Sequence, residues 1–470
     1  MNEHTNRTQD REIASRGLQG VREAAQRDRG LRFTTAELCQ RQCYRQRLCP
    51  TLLHHVNGKL LLDSFYLLKR QAAPGVDRVT WGEYEEGVEA RIEDLHDRIH
   101  RGAYRAQPSR RVYIPKPDGR QRPLGIAALE DKIVQQAVVE VLNQIYEGDF
   151  AGFSYGFRPG HSAHGALDAL SAGIMTKKVN WILDADIKGF FDNISHEKLM
   201  EWIERRIADP RILRLIRKWL TAGVSEDGQW SETKVGTPQG AVISPLLANI
   251  YLHYVLDQWV MEWRREFAEG DVIIVRYADD FVLGFQHREE AGRFLEQLRE
   301  RMVDYGLELH AEKTRLIEFG RFAAANRQRD GAGKPETFNF LGFTHICSTI
   351  WKSGKFTVKR KTVGKRMTAK LRDIAAKLRQ RMNEPIEQTG GWLTQVVRGY
   401  LNYHAVPGNL RRLYTFRRET ARHWRFTLRR RSQRSRWTWE RFATLIDRYL
   451  PEPKILHPNP MERFRAKYPR

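Results

Sequence analysis

The sequence predicts an α+β fold in which helices cover an antiparallel sheet and a basic helical region follows. Two short apolar runs with the character of strands, 181–186 and 272–277, each lead into aspartate. Longer runs with a helical period lie at 196–222, 242–267 and 287–305. Short apolar strands separated by amphipathic helices are typical of a sheet that packs helices against its face.

The first third of the chain adds helices and one hairpin. Residues 51–70 and 83–100 carry apolar side chains at helical spacing, and a turn at 73–77 separates them. Residues 111–126 contain two strand-like segments joined by Pro-Asp-Gly, which favours a tight turn, so they predict a β-hairpin. A further helix is predicted at 129–147.

Positive charge is concentrated at the C-terminal end of the chain. The formal net charge is +23, and residues 351–470, with 31 Lys and Arg against 8 Asp and Glu, account for all of it. A region this basic favours a polyanionic partner, of which nucleic acid is the commonest. The patterns and the charge together predict three parts: a polar N-terminal extension at 1–50, a mixed part at 51–350 and a basic helical domain at 351–470.

The composition argues against a membrane protein and a secreted protein. No run of about 18 apolar residues is present, as a membrane-spanning helix would require. The first residues also lack the apolar stretch of a secretory signal. We therefore expect a cytoplasmic protein without a membrane partner.

Acidic side chains stand where the apolar strands end. Asp279 and Asp280 lie between two apolar segments, at the tip of a predicted hairpin. Neighbouring carboxylates repel one another, and a bound divalent cation removes that repulsion. If Asp186 lies beside this tip, the oxygens form a site for two Mg²⁺ ions, which can activate a hydroxyl and stabilise a leaving pyrophosphate. Taken singly, each acid could equally be a turn residue or a helix cap, and that interpretation is preferred for Asp184 and Asp192.

Seven sequence blocks occur in order along the chain and together carry a resemblance to a known family. They are 73–77 (APGVD), 114–116 (IPK) with 122–126 (RPLGI), 154–159 (SYGFRP), 186–192 (DIKGFFD), 236–240 (GTPQG), 277–280 (YADD) and 340–343 (FLGF). Any one block is short, and their joint occurrence in this order is specific. From about residue 50 to its end, the sequence resembles the reverse transcriptases encoded by bacterial group II introns.

The resemblance implies a right-hand polymerase fold. The mixed part would form fingers and a palm with an antiparallel sheet, and the basic domain would form an α-helical thumb, also called the maturase domain. In the family, the acids that match Asp186 and Asp279 hold two Mg²⁺ ions with help from the carbonyl that matches Ile187. The acid that matches Asp280 completes the cluster.

The resemblance also implies a pocket for the incoming nucleotide. Lys116 and Arg122 match a hairpin that grips the triphosphate of a dNTP, a role suited to cations that meet phosphate oxygens. Phe191 matches the aromatic residue that excludes a 2′-hydroxyl, although a core position would suit a phenylalanine equally well. Gln239 matches a polar residue near the nucleotide. Lys313 matches a lysine that would protonate pyrophosphate.

The basic domain implies nucleic acid partners. Interleaved arginine and aromatic side chains suit contact with phosphates and stacking on bases. The resemblance implies that this surface holds an RNA template with its DNA primer, the host group II intron RNA during splicing, and target DNA in a bacterial, nucleoid-associated setting. The arginines expected to make these contacts are Arg411, Arg412, Arg417, Arg418, Arg425 and Arg429.

Two other functions are compatible with the sequence, and the sequence differs from many members of the family in one respect. A relative recruited to DNA repair or defence would keep the polymerase without an intron, and a splicing cofactor that only binds RNA would not need the three acids. Many relatives continue into a cysteine- and histidine-rich endonuclease, whereas this sequence has no cysteine after Cys347. We therefore expect no endonuclease and insertion at a DNA 3′ end that already exists.

Overall fold

The computed structural model describes residues 48–115, 121–226, 228–351, 353–432 and 437–467. The chain divides into two compact units, Met1–Leu48 and Cys49–Arg470, and all but the last residue of the first lies outside the described residues. Every described helix and strand belongs to the second unit. Among the described residues, no helix combines the length and the apolar character that crossing a bilayer requires.

A mixed sheet and several helices form the first part of this unit. Helices α1 to α5 occupy Gly58–Leu67, Trp81–Glu85, Val88–His100, Leu129–Tyr146 and Ala163–Thr176. Strands β1, β2, β4 and β5 occupy Ser109–Pro115, Gln121–Ile126, Val224–Glu226 and Gln229–Ser231. The predicted hairpin is confirmed as the antiparallel pair β1 and β2, and β4 joins it as a parallel neighbour, giving the order β2-β1-β4-β5.

The second sheet is antiparallel and lies at the centre of the unit. Strands β3, β6, β7 and β8 occupy Trp181–Asp186, Val272–Tyr277, Asp280–Phe285 and Arg315–Glu318, in the order β6-β7-β3-β8. Both predicted strands are confirmed. Helices α6 to α11 occupy His196–Glu204, Pro210–Thr221, Ser244–Leu252, Gln258–Glu266, Arg288–Asp304 and Ala323–Arg329. The inner strand residues Leu183, Phe281 and Leu283 are almost fully buried, which fixes the register of the sheet.

A third sheet and the C-terminal helices complete the unit. Strands β9 to β11 occupy Phe338–Phe340, Phe343–Thr349 and Phe356–Thr362, and the order is β11-β10-β9. Helices α12 to α16 occupy Gly364–Gln380, Ile386–His404, Leu410–Arg429, Trp439–Tyr449 and Pro460–Lys467. The apolar faces of α12 to α15 form a separate buried cluster around Phe416 and Trp424, whereas α16 contacts α5. The predicted division at residue 350 falls within the hairpin of β10 and β11 and stays a prediction.

Three predicted elements are interrupted, each for a local reason. The helix expected at 83–100 is broken at Gly87, which has a φ of 74°. The helix expected at 196–222 is two helices, because Asp209 accepts a hydrogen bond from the Arg211 amide and caps a new helix that starts at Pro210. The helix at 242–267 is continuous in direction, with one π turn at His253–Asp257 between α8 and α9.

Candidate active site

A tight hairpin turn places two carboxylates at one end of the central sheet. Tyr277 pairs with Asp280 at the last rung of β6 and β7, so only Ala278 and Asp279 form the loop. Two-residue hairpin loops require positive φ, and Ala278 has a φ of 56° although it is not a glycine. Ala278 is also buried, with 7% of its surface exposed. The surrounding residues must therefore hold this turn in place.

The neighbouring strand brings the third carboxylate to the same end. In the antiparallel pairing of β3 with β7, Asp186 lies directly opposite Asp280. Side chains at such positions have Cβ atoms about 5 Å apart. The structure thus brings together Asp186, Asp279 and Asp280, although about ninety residues separate the first from the other two in the sequence.

The carboxyl groups of Asp279 and Asp280 have raised pKa values. The pKa of Asp279 is raised, first because burial disfavours its charged form and then because Asp186 is near. Asp280 keeps solvent access, yet the protein around it and the neighbouring carboxylates raise its pKa to about 6. Carboxylates crowded in this way favour any cation that can bind between them.

Lys313 supplies a cation to this cluster. Its Nζ lies 2.5 Å from Oδ2 of Asp186, and the two side chains are 53% and 26% exposed. The segment that carries Lys313 runs beside the end of β3, where the amide of His310 donates to the carbonyl of Asp186 at 2.8 Å. Ile187 is buried here and forms a bridge with Leu309. The lysine is therefore held against the predicted metal ligand.

A buried ion pair behind the turn was not anticipated from the sequence. Arg276 and Asp257 are both fully buried, and the guanidinium donates two hydrogen bonds to the carboxylate at 2.7 and 2.5 Å. The same guanidinium donates to the carbonyl of Ala278 at 3.1 Å and to the side chain of Asn249 at 3.0 Å. The one available signal was an arginine within an otherwise apolar strand.

The SYGFRP block packs directly on the turn. Asn249 donates to the carbonyl of Gly156 at 2.7 Å, which ties the block to the buried ion pair. A Cβ atom at Gly156 would lie 2.2 Å from the amide nitrogen of Ala278, so only glycine fits there. The block itself is held by Arg158, which donates to the carboxylate of Glu147 and to the carbonyl of Ser154. These contacts explain how Ala278 keeps its unusual backbone conformation.

Comparison with known proteins identifies this arrangement. Residues 114–345, which contain the three acids and the turn, match the family described as reverse transcriptase (RNA-dependent DNA polymerase). The chain contains a reverse transcriptase domain. This finding confirms the right-hand polymerase fold that the sequence resemblance implied.

Relatives extend the match toward intron-encoded proteins. Protein YkfC of Escherichia coli strain K12 is 36% identical over 239 residues, which cover 45% of this chain and 62% of that protein. Group II intron-encoded protein LtrA of Lactococcus lactis subsp. cremoris is 39% identical over 226 residues, covering 48% and 36%. An uncharacterized 91 kDa protein in the cob intron of Schizosaccharomyces pombe is 38% identical over 216 residues, covering 45% and 26%. The chain is homologous to these proteins and covers less than two thirds of each.

Two of the residues predicted to bind the nucleotide, Arg122 and Gln239, contact each other. The side chain of Arg122 donates to Oε1 of Gln239 at 2.7 Å, and the amide of Gln239 donates to Asp192 at 3.2 Å. Gly125 donates its backbone amide to the carbonyl of Gln239 at 2.8 Å, which fixes the GTPQG loop on strand β2. Lys116 lies outside the described residues, so its predicted role stays a prediction.

Two phenylalanines in the DIKGFFD block have different environments. Phe190 is buried, with 2% of its surface exposed, whereas Phe191 is only half-buried. The ring centroids are 5.4 Å apart in an edge-to-face arrangement. The sequence did not decide which of the two phenylalanines lies in the core, and the structure shows that it is Phe190. Phe191 remains available to contact a ligand.

Asp184 has neither the turn role nor the cap role preferred for it, whereas Asp192 lies in the 3₁₀ turn Phe190–Asp192 but does not cap the next helix. Asp184 lies within β3 and pairs with Arg315 at 3.4 Å, and burial raises its pKa to about 6. Asp192 accepts the hydrogen bond from Gln239, and the helix that follows is capped by Ser195 instead. The cap role expected for Asp192 is therefore wrong.

The arginines predicted to bind nucleic acid fall into two groups. The following four are exposed on the surface of α14: Arg411, Arg412, Arg418 and Arg429. Arg417 donates to the carbonyl of Leu450 at 3.1 Å, and Arg425 donates to the carbonyl of Trp437 at 2.8 Å. These two are engaged within the helical domain, so they are less free to reach a partner than the other four.

The donor chemistry of the acidic cluster fits a hard divalent cation. Reverse transcriptases use divalent metal ions. Within the described ranges, no three His, Cys, Asp or Glu side chains form a ready-made metal cage. Mg²⁺ binds through one or two carboxylates together with substrate phosphates and does not need an all-protein cage. The carboxylates available at the turn are those of Asp186, Asp279 and Asp280.

Proposed function

We propose that the chain is the RNA-directed DNA polymerase of a group II intron, which extends a DNA primer on an RNA template with dNTPs and two Mg²⁺ ions. The single observation that carries this proposal is the strand register that sets Asp186 opposite Asp280, beside the Ala278-Asp279 loop. A polymerase of this fold needs carboxylates from two strands at one point. Binding of intron RNA by the basic domain, in support of splicing and of mobility into target DNA, is part of the same proposal.

Each acid has a proposed role in the transfer step. Asp186 and Asp279 would hold the two ions, with the carbonyl of Ile187 as a further ligand, and Asp280 would complete the negative cluster. When bound, two metal ions lower the pKa of the primer 3′-hydroxyl and stabilise the charge on the leaving pyrophosphate. The protein holds the two strands rigidly, so the carboxylates are already in place when substrate arrives.

The nucleotide would bind beside the GTPQG loop, which contacts Gly125 of β2 and Asp192 after β3. Arg122 is exposed and reaches the loop through Gln239, so its guanidinium can meet the triphosphate. Lys116, which directly follows the last described residue of β1, would add a second cation. Phe191 would lie under the sugar.

Primer extension on an RNA template tests the proposal. We expect wild-type protein to extend a DNA primer with dNTPs and Mg²⁺, and to add NTPs far more slowly. A protein that binds the primed template and extends it with neither kind of nucleotide would contradict the proposal. Such a result would instead favour a splicing cofactor that only binds RNA.

Replacing Phe191 with alanine should weaken the selection of dNTPs over NTPs. Without the ring, a 2′-hydroxyl would find space, so the ratio of the two kcat/KM values should fall by about tenfold or more, since each 1.36 kcal/mol of lost discrimination is a factor of ten. The measurement is single-nucleotide addition with dNTP and NTP in parallel.

The matched control is Phe190→Ala. This residue is core, so the change should lower the free energy of unfolding by about 3–5 kcal/mol and leave the nucleotide preference unaltered. Equal selectivity of Phe191→Ala and wild type would show that Phe191 does not contact the sugar.

Replacing Lys313 with alanine should lower the Mg²⁺ concentration needed for half-maximal synthesis. The lysine ammonium competes with the metal for Asp186, and a partly exposed pair of this kind contributes about 0–1 kcal/mol. We therefore expect a decrease of up to about fivefold. If Lys313 also protonates pyrophosphate, the maximal rate will fall at the same time, and Mg²⁺ titrations separate the two effects.

Lys313→Arg provides the control, because it keeps the positive charge beside Asp186. It should retain the wild-type Mg²⁺ requirement. An unchanged requirement in Lys313→Ala would mean that the ion pair does not compete with metal binding.

A further inference from the structure

The hairpin of β10 and β11 ends in a turn of which residues 350, 351 and 353–355 are described. The two strands pair without interruption from Phe343 with Thr362 at the base to Thr349 with Phe356 near the tip. Seven residues of strand span about 20 Å. At the tip, the amides of Ile350 and Gly354 donate to the carbonyls of Lys355 and Ile350, both at 2.8 Å. These two hydrogen bonds connect the residue that follows β10 with the residues that precede β11.

A tryptophan stands almost fully in solvent on this tip. Trp351 is 95% exposed, the largest value among the large hydrophobic side chains in the part of the chain that the structure describes. Ile350 beside it is 44% exposed. The fold gains almost no burial from the Trp351 ring, which is open to solvent. Tryptophan is enriched at interfaces, where its ring contributes a large contact area.

The charge around the tip indicates which partner fits. Residues 337–372 contain nine Lys and Arg residues and no Asp or Glu. Lys355, Lys359 and Lys361 are exposed on or beside β11, whereas Arg360 between them points inward and pairs with Asp168. An acid-free, lysine-bearing strand next to an exposed indole is complementary to phosphates next to a base.

We propose that Trp351 stacks on an unpaired base of single-stranded RNA while Lys355, Lys359 and Lys361 contact the phosphates that follow. Aromatic side chains stack on bases of any identity, and flanking cations track the backbone of the strand. We assign the bound strand as RNA because the proposed function requires the chain to bind an RNA template. This contact contributes to RNA binding, and none of its residues belongs to the acidic cluster of Asp186, Asp279 and Asp280.

Binding of an unstructured oligouridylate to the full chain, measured against salt concentration, tests this inference. Trp351→Ala should weaken binding by about fivefold or more, the lower end of the value of one base stack. Trp351→Phe should retain most of the affinity, because a ring remains. The slope of log affinity against log salt should stay unchanged in both variants.

Variants that remove positive charge test the phosphate contacts. The double variant Lys359→Gln, Lys361→Gln should reduce the salt slope by about 1.4, since each phosphate contact contributes about 0.7 on a single strand. Phe322→Ala serves as the matched control, because Phe322 is 55% exposed elsewhere on the surface. It should bind as wild type does.

Three outcomes would overturn the inference. They are wild-type affinity in Trp351→Ala, an equal loss in Phe322→Ala, and an equal loss on a blunt RNA duplex that offers no unpaired base. RNA binding is measured without nucleotides, so its result is independent of DNA synthesis. A chain that fails to polymerise but shows the Trp351 effect would contradict the proposed function and support the hairpin contact.

Discussion

Replacing Asp279 with asparagine should reduce RNA-templated DNA synthesis by about a thousandfold or more. The substitution keeps the size and shape of the side chain and removes one negative charge from the loop between β6 and β7. A metal ion at such a site contributes several kcal/mol of charge stabilisation in the transition state, and each 1.36 kcal/mol is a factor of ten in rate. Single-turnover primer extension at saturating dNTP measures the effect.

Loss of folding should not explain that result. Because burial raises the folded-state pKa of Asp279 above its ordinary 3.8, the folded protein binds this proton more tightly than the unfolded chain does. Ionisation of Asp279 therefore lowers the stability of the folded protein. This loss is absent at a pH below the pKa in the unfolded chain and complete at a pH above the pKa in the folded protein. Without metal, Asp279→Asn should be at least as stable as wild type at pH 7. The comparison is thermal unfolding of both proteins in the presence of a chelator.

The control for Asp279→Asn is Glu308→Gln. Glu308 lies in the segment beside β3 and pairs only at the surface, with Lys188 at 3.0 Å. Its substitution removes the same charge from nearly the same region, outside the acidic cluster. Synthesis at the wild-type rate is expected. A similar loss in both variants would indicate a general electrostatic effect and not a ligand role for Asp279.

Replacing Asp257 with asparagine should lower both stability and synthesis. Its carboxylate is fully buried against the guanidinium of Arg276, and removing one partner of a buried pair costs about 3–5 kcal/mol. Arg276 also donates to the carbonyl of Ala278, so a displaced guanidinium would release the loop that carries Asp279. A shift of about 1 Å in a reacting group costs about a hundredfold in rate. Urea unfolding and primer extension measure the two effects.

A second buried ion pair provides the control for Asp257→Asn. It distinguishes an effect on the position of the turn from an effect on the stability of the fold. Asp168 pairs with Arg360 at 3.0 Å, and these two side chains are 2% and 1% exposed. Asp168 also accepts a hydrogen bond from Arg463, and neither of these hydrogen bonds involves residues 277–280. Asp168→Asn should lose a similar amount of stability and keep the wild-type rate at a temperature where it is folded. If Asp168→Asn and Asp257→Asn lose synthesis equally, the buried pair behind the turn acts only by stabilising the fold.

Much of the site could be predicted because its main features are local in sequence. The strands at 181–186 and 272–277 are continuous apolar runs, and the acids lie at or directly after their ends. A two-residue loop leaves little freedom in where Asp279 and Asp280 can point. The sequence did not distinguish Phe190 from Phe191, because adjacent aromatic residues look alike until the direction of the strand and its core face are known.

The support behind the turn could not be predicted, because its partners are distant in sequence. Arg276 meets Asp257 and Asn249 across separations of 19 and 27 residues, and Asn249 meets Gly156 across 93. Each polar residue lies within an apolar helix or strand, where pattern alone indicates only burial. Its need for a partner is clear, since a buried charge must be paired. The identity of that partner depends on how the helices pack on the sheet.

The hairpin of β10 and β11 was missed for a different reason. The resemblance drew attention to residues 340–343, where Leu341 and Gly342 both have positive φ and turn the chain between β9 and β10. Residues 350–362 are rich in lysine, which hides the apolar period expected of a strand. These residues form a strand because they pair with β10, and their own sequence pattern does not indicate it.

Counting metal ions in the assembled complex tests the central claim most directly. Mn²⁺ is titrated into a mixture of protein, RNA template, dNTP and a primer that lacks its 3′-hydroxyl. The electron paramagnetic resonance signal of the free ion reports how much Mn²⁺ remains unbound. We expect two tightly bound ions in wild type and fewer in Asp186→Asn and Asp279→Asn, with the nucleic acid still bound. Wild-type stoichiometry and affinity in both variants would contradict a ligand role for these acids.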